Sequence, residues 1–184
     1  ALLLCLSGGV FKFIACCRRV YMGITAYWKY SNYKADTQRG FTFHFNSNQK
    51  RLHDKAEVGE DVFVISGFQT ETGFELFLLA HLVIKAKTFN PPNFKYGKYR
   101  VWANEEKSKY FQITKPLIPL LKKFDSIKQF NEEEKNKYSQ AFQTIRKLSD
   151  HDTRLLKSFS KNLLLHPKTQ YRFPEKEYEE SLDH

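Results

Sequence analysis

The chain has few cysteines, and all of them stand close together. Cys5, Cys16 and Cys17 lie within the first 17 residues of a 184-residue sequence. The remainder therefore has no disulfide framework and no thiolate metal site, which is typical of a reducing compartment and predicts a cytoplasmic protein. The six histidines are scattered, without the paired spacing of a zinc site. We expect no metal and no cofactor.

The sequence also lacks the motifs of the common enzyme classes. It contains no P-loop, no dinucleotide-binding glycine pattern, no zinc-protease helix motif and no serine-hydrolase elbow. A metal-dependent nuclease needs clustered acids with a nearby Lys. The predicted core strands offer Asp61 and Glu75, each without an evident partner in the sequence. We therefore predict that the chain has no catalytic residues and is not an enzyme.

No clean apolar run is long enough to span a membrane, so we expect no membrane partner. The most apolar stretch near the start, ALLLCLSGGVFKFIACCRR, is interrupted by Lys12 and has no basic region before it. The only Met, Met22, directly precedes GITAYW. We interpret residues 1–21 as a non-native or mis-started leader, with an authentic apolar leader as the alternative.

Aromatic and basic side chains are plentiful instead. Hydrophobic residues make up 41% and aromatic residues 16% of the chain, enough for a packed core. The net charge of +10 predicts a polyanionic partner, which could be nucleic acid, an acidic membrane surface or an acidic protein. Between residues 85 and 124 the only acids are Glu105 and Glu106, and aromatics alternate with Lys and Arg. This pattern favours a nucleic-acid surface, with a merely solvated face as the alternative.

Residues 22–111 have the alternation and the turn residues of short strands. Phe41, Phe43 and Phe45 alternate with polar residues, which predicts a strand with the Phe side in the core and His44 on the polar side. Further predicted strands are GITAYW, DVFVIS (61–66), the long central ELFLLAHLVIKAK (75–87) and KYRVWA (98–103). KYSNYKADTQRG is predicted as a loop, NQKRLHDKAEVGE as a short helix or turn closed by Gly59, and NPPNFKYG as a loop. This spacing predicts an α+β fold with a small, strongly curved β-barrel.

The pattern after Phe111 becomes helical. Pro116 fits the first turn of a helix in KPLIPLLKKF, and a further helix is predicted at about 152–165. Another is predicted after Asn131 from a stripe at helical spacing that consists of Tyr138, Phe142, Ile145 and Leu148. The predicted regions are the leader (1–21), the barrel (22–112), a helical extension (113–166) and a polar tail or linker (167–184).

Three stretches resemble the PUA-like superfamily, in particular its EVE and YTH-related branch. They are GITAYWKYSNYK, FTFHFNSNQKRLHDKAEVGEDVFVISG and YGKYRVWANEEKSKYF, which together span about residues 22–111. EVGEDVFVIS is similar to the Gly-Asp turn that leads into a barrel strand in the family, although here the turn reads Gly59-Glu60-Asp61. The ending YGKYRVW…SKYF is similar to reader modules of modification-dependent restriction systems, which often stand beside an HNH nuclease.

The resemblance implies a small curved barrel with flanking helices that binds nucleic acid, DNA in preference to RNA, and takes a modified base such as modified cytosine into an aromatic pocket. It implies a defence role with a nuclease domain or subunit as partner. The residues expected in the base pocket are Trp28, Tyr30, Ser31, Asn32, Asn46, Ser47, Asn48 and Trp102. The residues expected to contact phosphates are Lys50, Arg51, Lys98 and Arg100, and alternation places Arg100 with Trp102 on a solvent-facing side.

Two alternative functions stay open. One is an RNA-binding module of the same superfamily that acts on tRNA, rRNA or methylated message. The other is a protein-interaction domain that meets an acidic partner through its C-terminal helices. At the residue level, Trp28 could also be a buried structural residue, and Ser108 and Tyr110 are interpreted as structural.

Overall fold

The computed structural model describes residues 23–39, 43–131, 133–134 and 136–167. The predictions for the leader, for Phe41 and for residues 168–184 of the tail lie outside these ranges. Within them the chain has an α+β fold with one mixed seven-stranded sheet. In the same ranges, every helix is too short or too polar to cross a membrane.

The elements follow one another in an order that confirms the predicted β-rich first part. They are β1 (Ile24–Tyr27), α1 (Tyr30–Arg39), β2 (His44–Ser47), α2 (Arg51–Lys55), β3 (Asp61–Thr70), β4 (Gly73–Phe89), β5 (Tyr99–Ala103), β6 (Lys109–Tyr110), α3 (Ile118–Leu121), α4 (Lys137–Phe142), β7 (Arg146–Lys147) and α5 (Asp150–Lys161). The order in the sheet is β2-β5-β4-β3-β1-β7, and β6 also pairs with β4.

The long strand β4 organises the sheet, as predicted. It pairs antiparallel with β3 along residues 73–83 and with β5 along 84–89. Both ladders contain a register shift, at Val64/Ile65 and at Ile84/Ala86, and such bulges bend a strand. The sheet is mixed because β1 runs parallel to β3 while its other partner β7 is antiparallel.

The predicted barrel closure is wrong, because the sheet is open between β2 and β7. β7 has two residues and pairs only with β1 among the described strands, so it leaves no ladder for β2. A side chain bridges the gap instead. Gln49, just after β2, accepts from the backbone N–H of Ile145 at 3.0 Å and donates to the backbone carbonyl of Gln143 at 2.7 Å.

Both faces of the sheet are buried, each in its own core. Along β3, Val62 and Val64 belong to one core, whereas Phe63 and Ile65 belong to the other. The first core also contains Ile24, Leu52, Leu79, Leu82 and Tyr110. The second core also contains Phe111, Leu121, Phe142 and Leu156, which all follow strand β6 in the chain. The described segments around α3, α4 and α5 therefore cover one face of the sheet.

The segment predicted as the polar loop KYSNYKADTQRG forms helix α1 instead. Tertiary contacts outweigh its low intrinsic preference, since most helical stability in proteins comes from packing. Tyr33 is buried in the first core, and its hydroxyl donates to the carbonyl of Phe111 at 3.1 Å. Burial, with a smaller effect of Tyr30, raises the pKa of Tyr33, so the hydroxyl keeps its proton.

The helix predicted from the stripe after Asn131 is also corrected. Helix α4 ends at Phe142, and the chain then extends so that β7 covers the open edge of β1. Ile145 and Leu148 are buried on this extended segment. Helical spacing alone could not predict this change from helix to strand, because the strand forms by pairing with β1, which is distant in the sequence. The last predicted helix is confirmed as α5, whose Ser149 cap accepts from the N–H of Asp152 at 3.1 Å.

Candidate functional site

A pocket of about 540 Å³ opens where β1 and β2 end. Its volume lies within the roughly 300–1,000 Å³ of typical small-ligand sites. Four segments form its wall: the end of β1 with the start of α1, strand β2 with its following turn, the β4–β5 loop, and the residue after α4. The lining residues are Tyr27, Trp28, Lys29, Asn32, His44, Phe45, Asn46, Asn48, Lys95, Tyr96 and Gln143.

Half of the predicted pocket residues lie in this lining. Trp28, Asn32, Asn46 and Asn48 come from the two segments, 28–32 and 46–48, that the sequence indicates. The fold brings these segments together at one cavity, although β1 and β2 run in opposite directions in the sheet. The structure thus joins an aromatic ring with three side-chain amides.

The other four predicted pocket residues lie outside the lining. Tyr30 is stacked on Phe68, with ring centroids 4.2 Å apart. Ser31 is exposed, and the Ser47 hydroxyl accepts from the backbone N–H of Gln49 at 3.0 Å. None of the three lines the pocket, so we leave them out of the candidate site.

Trp102 does not share the pocket with Trp28, contrary to the expectation that both form its wall. Its indole N–H donates to the Thr88 hydroxyl at 2.9 Å. Its ring lies 5.4 Å from the ring of His44, which itself lines the pocket. Trp102 therefore supports the wall from behind and does not form its surface.

Trp28 is fixed from two sides. Its backbone N–H donates to the carbonyl of Ile65 at 2.9 Å, which continues the alignment of β1 with β3. Its ring meets Tyr33 and Phe45 edge to face, with centroids 5.7 and 6.2 Å apart. Such contacts stabilise an aromatic side chain in one orientation. The indole is thus a rigid, partly exposed wall of the pocket.

The charged residues of the lining are all basic. Lys29 and Lys95 are exposed residues of the lining, which contains no Asp or Glu. The predicted phosphate contacts Lys50, Arg51 and Lys98 are also exposed, although outside the lining. The site therefore presents positive charge and suits a ligand that carries negative charge.

Arg100 is buried, which contradicts the predicted solvent-facing pair with Trp102. Only 4% of Arg100 is exposed. Its guanidinium carbon lies 4.7 Å from the centre of the Trp102 ring and 5.3 Å from that of Phe94. β5 is an inner strand, and the β4–β5 loop places Phe94 over this face, so alternation in the sequence could not show the burial. Arg100 is corrected from a phosphate contact to a buried residue.

Arg100 holds an amide of the lining. Its Nε donates to Asn46 Oδ1 at 3.1 Å, and Asn90 Nδ2 donates to the same oxygen at 3.0 Å. Asn90 Nδ2 also donates to the carbonyl of Gly97. Gly97 has a φ of +115°, and a Cβ there would lie 2.3 Å from the carbonyl carbon of Ser47. Only glycine lets the loop approach β2 this closely.

His44 and several other lining residues were not assigned by the sequence. His44, expected on a polar face, is 5% exposed because Trp102 covers it. Lys95 and Tyr96 lie in a loop rich in aromatic and basic residues, which is the signal that could have indicated them. Gln143 has no such signal, since it lies 94 positions after Gln49, the residue that donates to its carbonyl beside the pocket. The remaining unassigned lining residues are Tyr27, Lys29 and Phe45.

A buried ionic cluster lies elsewhere, at the start of β3. Asp61, for which the sequence shows no partner, accepts from His81 at 2.7 Å and lies 2.6 Å from Lys157. Burial raises the pKa of Asp61, but the hydrogen bonds and charges of His81 and Lys157 outweigh it and hold the pKa below its usual range. The His81 ring is stacked on Phe63. The cluster thus joins α5 to the sheet.

Asp125, His151 and Asp152 also stand together, with one ligand atom of each within 4.8 Å of the others. The two carboxylate oxygens of Asp152 accept from the backbone N–H groups of Asp125 and Ser126 at 2.9 and 3.0 Å. The carboxylate is therefore occupied in fixing this turn against α5. We interpret the group as structural.

The pocket at the ends of β1 and β2 is therefore the best candidate site: an aromatic-walled, amide-lined cavity with positive charge. No protein-family model matches the chain, and no curated protein matches it either. The chemistry of the pocket is the basis on which a function can be assigned.

Proposed function

We propose that the chain is a non-catalytic nucleic-acid-binding domain that holds one unstacked, modified base, such as modified cytosine in DNA, in this pocket. The observation that carries the proposal is the composition of the lining. A rigid Trp28, three Asn and two Lys surround one cavity without any carboxylate. A planar base fits the indole, amides read its edge, and lysines meet the phosphates beside it.

The energies are compatible with this function. Extrusion of a base from a duplex costs a few kcal/mol. Stacking of a base on an aromatic side chain returns about 1–3 kcal/mol, and hydrogen bonds from the amides add to this. The net charge of +10 favours the approach to a polyanion.

The resemblance of residues 22–111 to the PUA-like superfamily supports the same proposal. The open sheet and the Gln49 bridge would be this chain's variant of the family's curved barrel. We extend the proposal to a cytoplasmic defence role, in which the domain reads modified DNA for a nuclease domain or subunit.

The decisive experiment is a titration of labelled duplexes that differ in one modified cytosine, with a matched RNA as third ligand. We expect tighter binding to the modified DNA at physiological salt. Equal affinity for modified and unmodified DNA would contradict base reading. A preference for the RNA would assign the domain to the RNA-binding alternative, and no binding to any nucleic acid would favour the protein-interaction alternative.

A further inference from the structure

The orientation of the Asn46 amide is defined by groups whose hydrogen-bonding roles cannot change. The carbonyl oxygen of Gly97 can only accept, so the Asn90 atom that meets it is the Nδ2 donor. Arg100 Nε can only donate, so the Asn46 atom that meets it is the Oδ1 acceptor. The contact between Asn90 Nδ2 and Asn46 Oδ1 agrees with both assignments.

Arg100 and Asn90 together occupy both acceptor positions of the Asn46 side chain. Its Oδ1 has two lone pairs, and Arg100 and Asn90 occupy them at 3.1 and 3.0 Å. The group that remains for a ligand is the Nδ2 amino group, which can only donate. Since Asn46 lines the pocket, the pocket has a donor at this point.

Arg100 keeps this polarity in place. Its guanidinium lies between the rings of Phe94 and Trp102, and the residue is almost fully buried. Rotation of the Asn46 amide would bring its amino group against the Arg100 donor and leave two buried donors without their acceptor. Unmet buried donors are costly, so the amide is set before any ligand arrives.

We propose that Asn46 reads the bound base as a hydrogen-bond donor and that Arg100 is the positioning residue that sets this polarity. The inference rests on the proposed function and deepens it. The base must place a ring nitrogen or a carbonyl oxygen against Asn46, as the N3 and O2 edge of cytosine does. A base that places an exocyclic amino group there is rejected.

The test uses the isosteric substitution Asn46→Asp. The carboxylate still accepts from Arg100 and Asn90, but the donor of the pocket becomes an acceptor. The probe is a labelled oligonucleotide with one 5-methylcytosine, measured by fluorescence anisotropy. We expect binding to weaken by on the order of tenfold to a hundredfold, the usual effect of one lost polar contact.

Asn93→Asp is the matched control, because it adds the same charge close to the pocket without changing a lining residue. Asn93 is exposed, lies outside the lining and stands in the same loop as Lys95. We expect this variant to weaken the probe much less. Equal losses for both variants would mean that charge, and not the lost donor, is responsible, and would overturn the proposal. Wild-type affinity in Asn46→Asp would overturn it as well.

The positioning role of Arg100 has its own readout. In Arg100→Met the Asn46 amide can rotate. This variant alone should therefore already lose part of the binding that the Asn46 Nδ2 donor provides. Combining Arg100→Met with Asn46→Asp should then weaken the probe less than the product of the two single effects. Independent, multiplicative effects would overturn the positioning role, since two residues that act through one hydrogen bond must show coupling.

A melting experiment without any ligand separates this inference from the proposed function. Asn46→Asp should melt near the wild-type temperature, whereas Asn46→Leu should melt several degrees lower because it orphans both buried donors. Equal losses in the two variants would overturn the hydrogen-bond chain. A wild-type protein that binds none of the probes would overturn the proposed function and with it the reading of a base, even if the melting result is as expected.

Discussion

In the proposed site, we expect the binding of a base to depend most on Trp28. We expect Trp28→Ala to lose about 1–3 kcal/mol of base binding, the value of one stacked ring. The indole also contacts Tyr33 and Phe45, so the variant should melt somewhat lower. Trp28→Leu retains apolar packing without a stacking face, and it should lose the binding while it recovers part of the stability.

Phe89→Ala is the control for Trp28. Phe89 is aromatic and 65% exposed but lies outside the lining. We expect it to leave base binding unchanged in the same titration. If the Trp28 variants bind like wild type, or if Phe89→Ala weakens binding as much, the pocket is not the base site.

Asp61 should make the fold sensitive to acid. Its pKa is lower in the folded protein than in the unfolded chain, where a value of about 3.9 is usual. The stabilisation is therefore fully present above about pH 4 to 5 and is lost as the pH falls through the lower folded pKa. Urea unfolding midpoints between about pH 2 and pH 7 should show this loss.

Asp61→Asn is the comparison for the acid effect. It removes the titrating group, so its stability should depend less on pH in the acid range, while its stability at neutral pH is lower than that of wild type. The same acid slope in both proteins would show that other carboxyl groups cause the effect.

At the scale of elements, the β4–β5 loop depends on Gly97. We expect Gly97→Ala to destabilise the protein by more than the roughly 1–3 kcal/mol of backbone strain at a positive φ. The added Cβ would also overlap the carbonyl carbon of Ser47 and the N of Asn48. Because Asn48 lines the pocket, binding should weaken together with stability.

Gly59→Ala isolates the steric part of that effect. Gly59 has a φ of +89°, but nothing lies within 4 Å of its would-be Cβ. It should therefore cost only the backbone strain, and chemical denaturation of the two variants should show Gly97→Ala as clearly the less stable. Equal losses would mean that the close approach to β2 has no energetic weight.

At the scale of the whole molecule, the positive charge should appear as salt dependence. A binder that contacts about five phosphates has a log–log slope near −4 to −5 on duplex DNA. Lys29→Ala and Lys95→Ala should each reduce that slope by about one unit and weaken all sequences alike. Lys123→Ala, an exposed lysine outside the lining, should leave it unchanged. An unchanged slope in all three would place the phosphate contacts elsewhere.

The sequence could predict those features that depend on local pattern. Alternation indicated β3, and a long apolar run indicated β4. The family resemblance indicated Trp28 and three Asn that line the pocket. The aromatic and basic composition of residues 94–100 pointed to the loop that supplies Lys95 and Tyr96. In each case the residues that make the feature are neighbours in the chain.

The remainder depends on contacts between distant segments. Burial of Arg100 requires Phe94 to fold over an inner strand, and α1 forms because Tyr33 reaches the carbonyl of Phe111. Gln143, whose carbonyl accepts from Gln49, joins the lining from a position 94 residues further along the chain. Closure of the sheet could not be judged either, since it depends on whether β7, a strand of two residues, meets β2 in the folded chain.

The bridge by Gln49 has a consequence for the order in which the protein acquires its shape. Gln49 contacts residues 94 and 96 positions further along the chain, and Gly23 contacts Thr153 across 130 positions. Contacts over such separations form slowly. During synthesis, the edge of β1 stays unpaired and the second face of the sheet stays uncovered until the residues that follow β6 have been made. A nascent chain that stops near residue 112 therefore contains β1 to β6 but lacks both β7 and Gln143, so the edge of β1 is unpaired and the lining of the cavity is incomplete.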